Sequence, residues 1–286
     1  MNPSGLPAEM FQQYWHTWLP YAVAAVILAA LAAIAGVNSG VRRIAPAGMF
    51  AVAAVALAIL GVAAASLADA ASEGDGLTVF DRPTWQWFVD HRSSAATVIA
   101  KIVTTVGSTL VMGLLAAVVA VLLFVRRHRG DAAMVAAVAA GAGLLVRVGK
   151  RVVSRTRPPE HYRLVAETNA SFPSGHALAS MAIVGVFTVL VAAGTQPLGR
   201  RIGTILLAAI MVMLIGASRL YLGVHWATDV LGGWLTGAAW LLLCVMIRRL
   251  WRSYRDNSER GRPTGTDPGT TDAEDDARDA GNCRIR

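Results

Sequence analysis

Long apolar runs constrain the fold of this chain more than any other feature of its sequence. Several of them exceed the roughly 18 consecutive apolar residues that mark a membrane-spanning helix. Of its 286 residues, 55% are hydrophobic and only 15% are charged, which is more apolar side chain than a soluble core of this size buries. We therefore predict an all-α, polytopic transmembrane helix bundle with spans at residues 19–37, 47–68, 98–125, 131–149, 174–194, 202–221 and 228–247.

The net charge of +8 comes largely from short basic clusters between the apolar runs. Placing the N-terminus outside brings four of these clusters to one face: Arg42-Arg43, Arg126-Arg127-His128-Arg129, Arg200-Arg201 and Arg248-Arg249. By the positive-inside rule this face is cytoplasmic. Charge distributed in this way is typical of membrane topology, so no nucleic-acid partner is expected.

Polar segments divide the chain into three parts. We expect residues 1–46 to be an N-terminal segment with an additional transmembrane helix, and residues 47–250 to be the membrane-embedded domain. Residues 251–286 are predicted to be a disordered cytoplasmic tail, because most of this segment is polar or charged and contains few apolar residues.

The segment 81–92, which begins Asp81-Arg82-Pro83, has the pattern of a short amphipathic helix lying in the membrane interface. Asp81 is a candidate N-cap for this helix. Trp85 and Phe88 are predicted to face lipid. An ordinary loop with interfacial tryptophans is the alternative.

The segment 150–173 lies on the face opposite the basic clusters and nevertheless carries five cations: Lys150, Arg151, Arg155, Arg157 and Arg163. Cations at this depth are costly unless they meet an anion or water. Lys150 and Arg157 are seven positions apart, two turns if the helix continues, and Pro158 ends it. The alternative for such residues is snorkelling of their charged ends to the interface, which we expect of the other three.

A second cluster, Pro173-Ser174-Gly175-His176, opens a long apolar run. Ser174 suits an N-cap position, and Gly175 lets a backbone N–H approach a ligand closely. Free N–H groups at a helix N-terminus attract phosphate oxygens, and His176 stands in the first turn beside them. A plain helix cap with an interfacial histidine explains the tetrapeptide equally well.

A third cluster contains Ser218-Arg219, His225 and Asp229. His225 and Asp229 are four residues apart and share one face of a helix. An aspartate bonded to one imidazole nitrogen fixes the tautomer and leaves the other nitrogen free to attack. Arg219 can reach the same pocket. The alternative is a polar turn with a structural His–Asp pair.

Taken together, the three clusters read Lys-x6-Arg-Pro, Pro-Ser-Gly-His and Ser-Arg-x5-His-x3-Asp. In this pattern the chain resembles the type 2 phosphatidic acid phosphatase superfamily, in its membrane-bound branch, and every motif position matches. The resemblance covers roughly residues 47–247, since the family core usually has six spans. The run at 19–37 is then an added N-terminal span.

The resemblance implies a lipid phosphatase that acts through a phosphohistidine. His225 would attack phosphorus, Asp229 would orient its ring, and His176 would protonate the leaving oxygen. The phosphate oxygens would be held by Lys150, Arg157, Ser174, Gly175 and Arg219. No carboxylate cluster suited to Mg²⁺ accompanies the motifs, so no metal and no cofactor are expected. The expected partners are a lipid phosphate and the bilayer, with the site on the outer face.

Three other functions fit parts of this pattern. A lipid phosphotransferase would use the same pocket and pass phosphate to an alcohol instead of water. Vanadate-dependent haloperoxidases share the motif but are soluble, so the apolar runs exclude that branch. A transporter or idle binder of lipid phosphates would not need the nucleophile and its Asp partner. For a phosphatase, the substrates left open are polyprenyl (pyro)phosphates, favoured by an outward site, and phosphatidic acid or phosphatidylglycerophosphate.

Overall fold

The computed structural model describes residues 46–192 and 197–260, and these are helical with connecting loops and contain no strand. Two short 3₁₀ segments occur at Gly76–Phe80 and Glu160–Tyr162. The α-helices of the described part are α1 (Pro46–Glu73), α2 (Asp81–Asp90), α3 (Ser94–Val106), α4 (Thr109–Val125), α5 (Arg129–Val153), α6 (Gly175–Ala192), α7 (Leu198–Tyr221) and α8 (Ala227–Arg260). The predicted all-α fold class is confirmed.

Five of the described helices, α1, α5, α6, α7 and α8, are each long and apolar enough to cross a membrane. The pair α3 and α4 supplies a sixth span if it is counted as one bent helix. These six correspond to the six predicted runs between residues 47 and 247. The run at 19–37 lies outside the described residues.

The predicted run 98–125 is broken near its middle, where α3 and α4 meet at an angle of 43°. Gly107 ends α3, and the Ser108 side chain caps α4 by accepting from the Val111 N–H at 3.2 Å. A Cβ at Gly107 would lie 2.5 Å from Cγ2 of Ile215. The break therefore falls where α7 packs closest, a contact that hydropathy alone does not reveal.

Helix α6 is the centre of the bundle, since most of its residues are buried on all sides. Glycines on α8 permit this close packing: a Cβ at Gly233 would lie 2.8 Å from the Ser174 carbonyl oxygen, and one at Gly237 would lie 2.7 Å from that of Leu178. Small residues let transmembrane helices approach closely in this way. The packing fixes the start of α6 beside the start of α8.

The segment 81–92 differs from its predicted role. Helix α2 forms, but Asp81 does not cap it, because Phe80 holds the N-cap position. Instead the buried Asp81 carboxylate accepts from the Thr228 N–H at 2.8 Å, at the start of α8. Trp85 is buried rather than facing lipid, and Trp87 is the exposed tryptophan of this helix.

The predicted disordered tail begins differently as well. Helix α8 continues to Arg260, so the first part of the segment 251–286 is helical. The remainder, residues 261–286, lies outside the described residues.

Candidate active site

The three polar clusters of the sequence meet at one end of the bundle. Arg157 Nη1 lies 3.2 Å from His225 Nε2, which joins the first cluster to the third. The Ser174 N–H donates to the Asp229 carbonyl oxygen at 3.0 Å, which joins the second to the third. Residues far apart in sequence thus come together in one cluster of polar side chains.

His225 precedes α8 and is almost completely buried. Its Nδ1 lies 3.3 Å from Asp229 Oδ2, and its Nε2 faces the Arg157 guanidinium. Because a guanidinium donates and never accepts, Nε2 is the unprotonated nitrogen and Nδ1–H points to the carboxylate. Burial of the ring, with the positive charges of Arg157 and Arg219, outweighs the opposing effect of Asp229 and lowers the pKa of His225 to about 4. The ring is neutral at pH 7.

Asp229 lies in the first turn of α8 and is fully buried. Its Oδ2 accepts from the Trp226 N–H at 2.8 Å and from the Ser171 hydroxyl, while Oδ1 accepts from Arg155 Nη1 at 2.8 Å. Hydrogen bonds to a carboxylate favour its charged form. The carboxylate is therefore fixed in place and able to orient His225.

Arg157 lies in the loop after α5, not on the helix. Helix α5 ends at Val153, and Ser154 adopts a left-handed conformation with φ 48°, so the seven-residue spacing from Lys150 does not span two helical turns. The Arg157 guanidinium is held by the Asn169 carbonyl at 2.7 Å and by the Val224 carbonyl at 2.6 Å. These backbone contacts aim it at His225.

Lys150 reaches the same cluster of polar side chains from the last turn of α5. Its ammonium group donates to the Ala170 carbonyl oxygen, which also accepts from Arg157 Nη2 at 3.4 Å. The two predicted phosphate-binding cations thus meet on one carbonyl group.

Arg219 is buried in the last turn of α7. Its Nη1 donates to Thr104 Oγ1 of α3 at 2.6 Å, and its Nη2 donates to Glu167. Its Nε is buried without a hydrogen-bond partner among the described residues. A buried, unpaired donor is costly, and here it lies on a cation beside the pocket. An anionic ligand would satisfy it.

The second cluster lies at the start of α6. Ser174 is fully buried, and its Oγ is 3.5 Å from the Ala177 N–H, as in a loose N-cap. A Cβ at Gly175 would lie 3.1 Å from Thr109 Cγ2, so packing as well as ligand approach requires glycine there. The His176 ring is close enough to feel the charges of Arg219, His225, Arg157 and Lys150.

A cleft of about 540 Å³ lies beside this cluster of polar side chains. Arg157 and Trp226 line one part of it, while residues of α2 and the segment 159–162 line the rest. Arg157 therefore borders both the cleft and His225.

Residues 131–253 match the family model described as PAP2 superfamily. This part of the chain is similar to the PAP2 superfamily. Lys150, His176 and His225 all lie within the matched residues, which agrees with the resemblance drawn from the motifs. Helix α2, with Asp81, lies outside them.

Two curated proteins are similar to this chain over part of its length. Phosphatidylglycerophosphatase B of Bacillus subtilis is 33% identical over 127 residues, which cover 44% of this chain and 61% of that protein. Undecaprenyl-diphosphatase of Sulfolobus acidocaldarius is 37% identical over 109 residues, covering 36% and 48%. The chain thus spans about three fifths and about half of the length of these relatives.

A solved structure is similar to this chain over a longer stretch. It is the crystal structure of a transmembrane PAP2-type phosphatidylglycerolphosphate phosphatase from Bacillus subtilis, with a TM-score of 0.59 and 25% identity. The match covers 72% of this chain and 98% of that one. This similarity agrees with the multi-pass helical fold described above.

Sequence reasoning missed three residues that contact the predicted site: Arg155, Ser171 and Glu167. Arg155 was predicted to snorkel, yet it forms buried ion pairs with Asp229 and Asp81. Ser171 donates to Asp229, and Glu167 pairs with Arg219 and Arg157. The only sequence signal for these residues is a charge within the segment 150–173, which already departs from the positive-inside rule. Arg155 and Glu167 carry such a charge, and Ser171 does not.

Two more of the predicted roles can be compared with the structure. Arg163 was also predicted to snorkel. Instead its Nε donates to the Pro158 carbonyl oxygen at 2.8 Å, a contact within the loop that follows α5. For metals, the described residues contain no group of three or more His, Cys, Asp or Glu side chains placed to hold an ion.

Proposed function

We propose that this chain is an integral-membrane phosphatase that hydrolyses a lipid phosphate or pyrophosphate through a phosphohistidine at His225. The observation that carries the proposal is the state of His225: a neutral imidazole whose Nδ1–H faces Asp229 and whose Nε2 lone pair faces the cations. A nucleophile oriented by a third group and aimed at an anion-binding pocket is typical of covalent catalysis.

The first step transfers the phosphoryl group. His225 Nε2 forms a bond to phosphorus as the bond to the lipid oxygen breaks, and protonated His176 gives that oxygen its proton. The Arg157 N–H that faces Nε2 shifts its hydrogen bond to a phosphate oxygen. Positioning and electrostatic stabilisation supply most of the catalysis in such transfers.

The second step restores the enzyme. Water attacks the phosphohistidine, neutral His176 takes the proton of the water, and the bond to Nε2 breaks with inorganic phosphate as product. Lys150, Arg157 and Arg219, the Ser174 hydroxyl and the Gly175 N–H hold the phosphate oxygens in both steps. The unpaired Nε of Arg219 gains its partner only when phosphate is present. No step requires a metal ion.

The substrate proposed first is a polyprenyl pyrophosphate, with phosphatidylglycerophosphate and phosphatidic acid next. The curated relatives are named for a phosphatidylglycerophosphate and for undecaprenyl diphosphate, which supports this choice of head groups. In the sequence, the basic clusters that favour a cytoplasmic face fall at the span ends opposite those that carry the site, so we propose that the site is extracytoplasmic and the tail is cytoplasmic.

Phosphate release from a panel of these three lipids tests the proposal, with purified full-length protein in detergent and EDTA. We expect release with the wild type and with His128→Ala, an exposed histidine outside the pocket, and none with His225→Ala. Phosphate found only on an added alcohol would show a transferase. Lipid binding without turnover would show an idle binder.

Topology is tested separately in spheroplasts, in a Cys283→Ser background. We expect a membrane-impermeant maleimide to label Glu160→Cys, in the loop near the site, and not His128→Cys, in the turn between α4 and α5. The reverse labelling would place the site in the cytoplasm.

A further inference from the structure

Glu167 lies in the loop between the second 3₁₀ segment and α6, with its carboxylate between two arginines of the site. Its Oε1 accepts from Arg219 Nη2, and its Oε2 lies 3.5 Å from Arg157 Nη2. Each oxygen therefore meets a different guanidinium. A phosphate held by the same two arginines would place its oxygens in the same way.

The charge of Glu167 matches this position. Burial raises the pKa of its carboxyl, but the guanidiniums of Arg219 and Arg157 outweigh burial and hold the pKa below its ordinary value. Glu167 is thus ionised at neutral pH. It offsets part of the positive charge that Lys150, Arg157 and Arg219 concentrate in one pocket.

Glu167 is also free to leave that position without disrupting the helices. Its segment has no regular secondary structure, and its side chain is 22% exposed, whereas those of Arg157 and Arg219 are 4% and 2% exposed. The arginines are held by other groups, Arg157 by backbone carbonyls and Arg219 by Thr104. A turn of the carboxylate towards water would expose both guanidiniums.

We propose that Glu167 is a built-in competitor of the phosphate group: its carboxylate takes the position between Arg157 and Arg219 that phosphate would take, and it must move out before phosphate binds. This inference rests on the proposed function only in placing phosphate at Arg157 and Arg219. When a site is closed by its own carboxylate, its affinity for free phosphate is reduced to the fraction of the time that the site is open. The product then leaves readily, while a lipid substrate gains additional affinity from its tail.

A supporting role for Glu167 predicts the opposite change in anion affinity. If Glu167 instead held the arginines in place, its removal would weaken anion binding. The test is therefore the affinity of the full-length protein for inorganic phosphate and orthovanadate, measured by titration calorimetry in detergent. We expect Glu167→Gln to bind both anions about tenfold more tightly than the wild type, within the range common for coupled sites.

Two further variants complete the comparison. Glu160→Gln removes an exposed glutamate of the same loop and should leave the affinity unchanged. Glu167→Asp keeps the charge on a shorter side chain that cannot meet both guanidiniums at once, so we expect an affinity between those of the wild type and Glu167→Gln. If Glu167→Gln does not fold, Glu167→Asp replaces it in the test. Equal or weaker anion binding in the Glu167 variants would overturn the inference.

The measurement does not depend on turnover. Tighter anion binding in Glu167→Gln, in a protein that hydrolyses no lipid phosphate, would support the competitor and refute the proposed function. If the wild type hydrolyses a lipid phosphate and Glu167→Gln binds anions no more tightly than the wild type, the proposed function is supported and the competitor role is refuted.

Discussion

Nη1 of Arg155 lies 2.8 Å from Oδ1 of Asp229, the carboxylate that orients His225. The other terminal nitrogen of Arg155 lies 2.6 Å from Asp81 Oδ2, at the start of α2. Arg155 thereby joins helix α2 to the proposed nucleophile through two ion pairs with buried carboxylates. Removing one partner of a buried pair leaves an uncompensated charge, so this connection should matter for both activity and stability.

Replacing Arg155 with Met should slow turnover more than it weakens binding. The substitution removes the contact to Asp229 Oδ1 and leaves the proposed phosphate-binding residues Lys150, Arg157 and Arg219 in place. We expect kcat to fall about 10- to 100-fold, as for other groups that orient a reactive side chain from behind, with KM nearly unchanged. Arg151→Met, at an exposed position nearby, is the matched control. A raised KM at constant kcat would assign Arg155 to substrate binding instead.

Replacing Asp81 with Asn should destabilise the protein. Asp81 accepts from the Thr228 N–H at 2.8 Å and from the Thr228 hydroxyl at 2.6 Å, so it caps α8 from outside that helix. Asparagine keeps one oxygen that can accept from the Thr228 N–H, but its NH₂ group replaces the oxygen that pairs with Arg155 Nη2. The substitution therefore removes a hydrogen bond between charged groups, which is worth about 1.5–3 kcal/mol. A lower thermal midpoint in detergent is expected, with Asp90→Asn, at the exposed end of α2, as control. An unchanged midpoint would contradict this role.

The pH profile reports the state of His225. Since its pKa is lowered to about 4, the ring stays unprotonated as the pH falls from 7 to 5, and it becomes protonated only near pH 4. We expect kcat/KM, corrected for the titration of the substrate phosphate followed by phosphorus NMR, to hold down to about pH 5. A tenfold loss per pH unit starting near 6.5 would indicate an ordinary histidine.

Replacing Arg219 with Lys should weaken substrate binding although the charge is kept. One ammonium group cannot reproduce contacts to Thr104 and Glu167 together with the free Nε–H, because lysine lacks the planar arrangement of donors. We expect KM to rise about tenfold or more, as for the loss of a hydrogen bond to a charged group. Arg82→Lys on α2 is the control. Wild-type kinetics in Arg219→Lys would show that charge alone suffices.

The helices and the three clusters were predictable because their signals are local. An apolar run of sufficient length has few alternatives to a membrane helix, and each of the predicted runs between residues 47 and 247 corresponds to described helix. The residues of the clusters also met as predicted, since Arg157 and His225 lie in contact.

What the sequence did not reveal depends on contacts across the chain. Asp81 and Thr228 are 147 positions apart, and nothing near Asp81 indicates that it caps a different helix from its own. The break at Gly107 depends on Ile215 of α7. Glu167 belongs to no motif, and only its position between Arg157 and Arg219 in the structure indicates a role for it.

The central claim is that His225 becomes phosphorylated, and an acid-sensitive protein label tests it most directly. Wild-type protein would be mixed with a lipid phosphate that carries a radioactive phosphoryl group, denatured in alkali within milliseconds, and digested for mass spectrometry. We predict acid-labile label on residue 225, formed before free phosphate appears, and no label in His225→Ala. Free phosphate released by the wild type with the label absent, or found on another residue, would contradict the account.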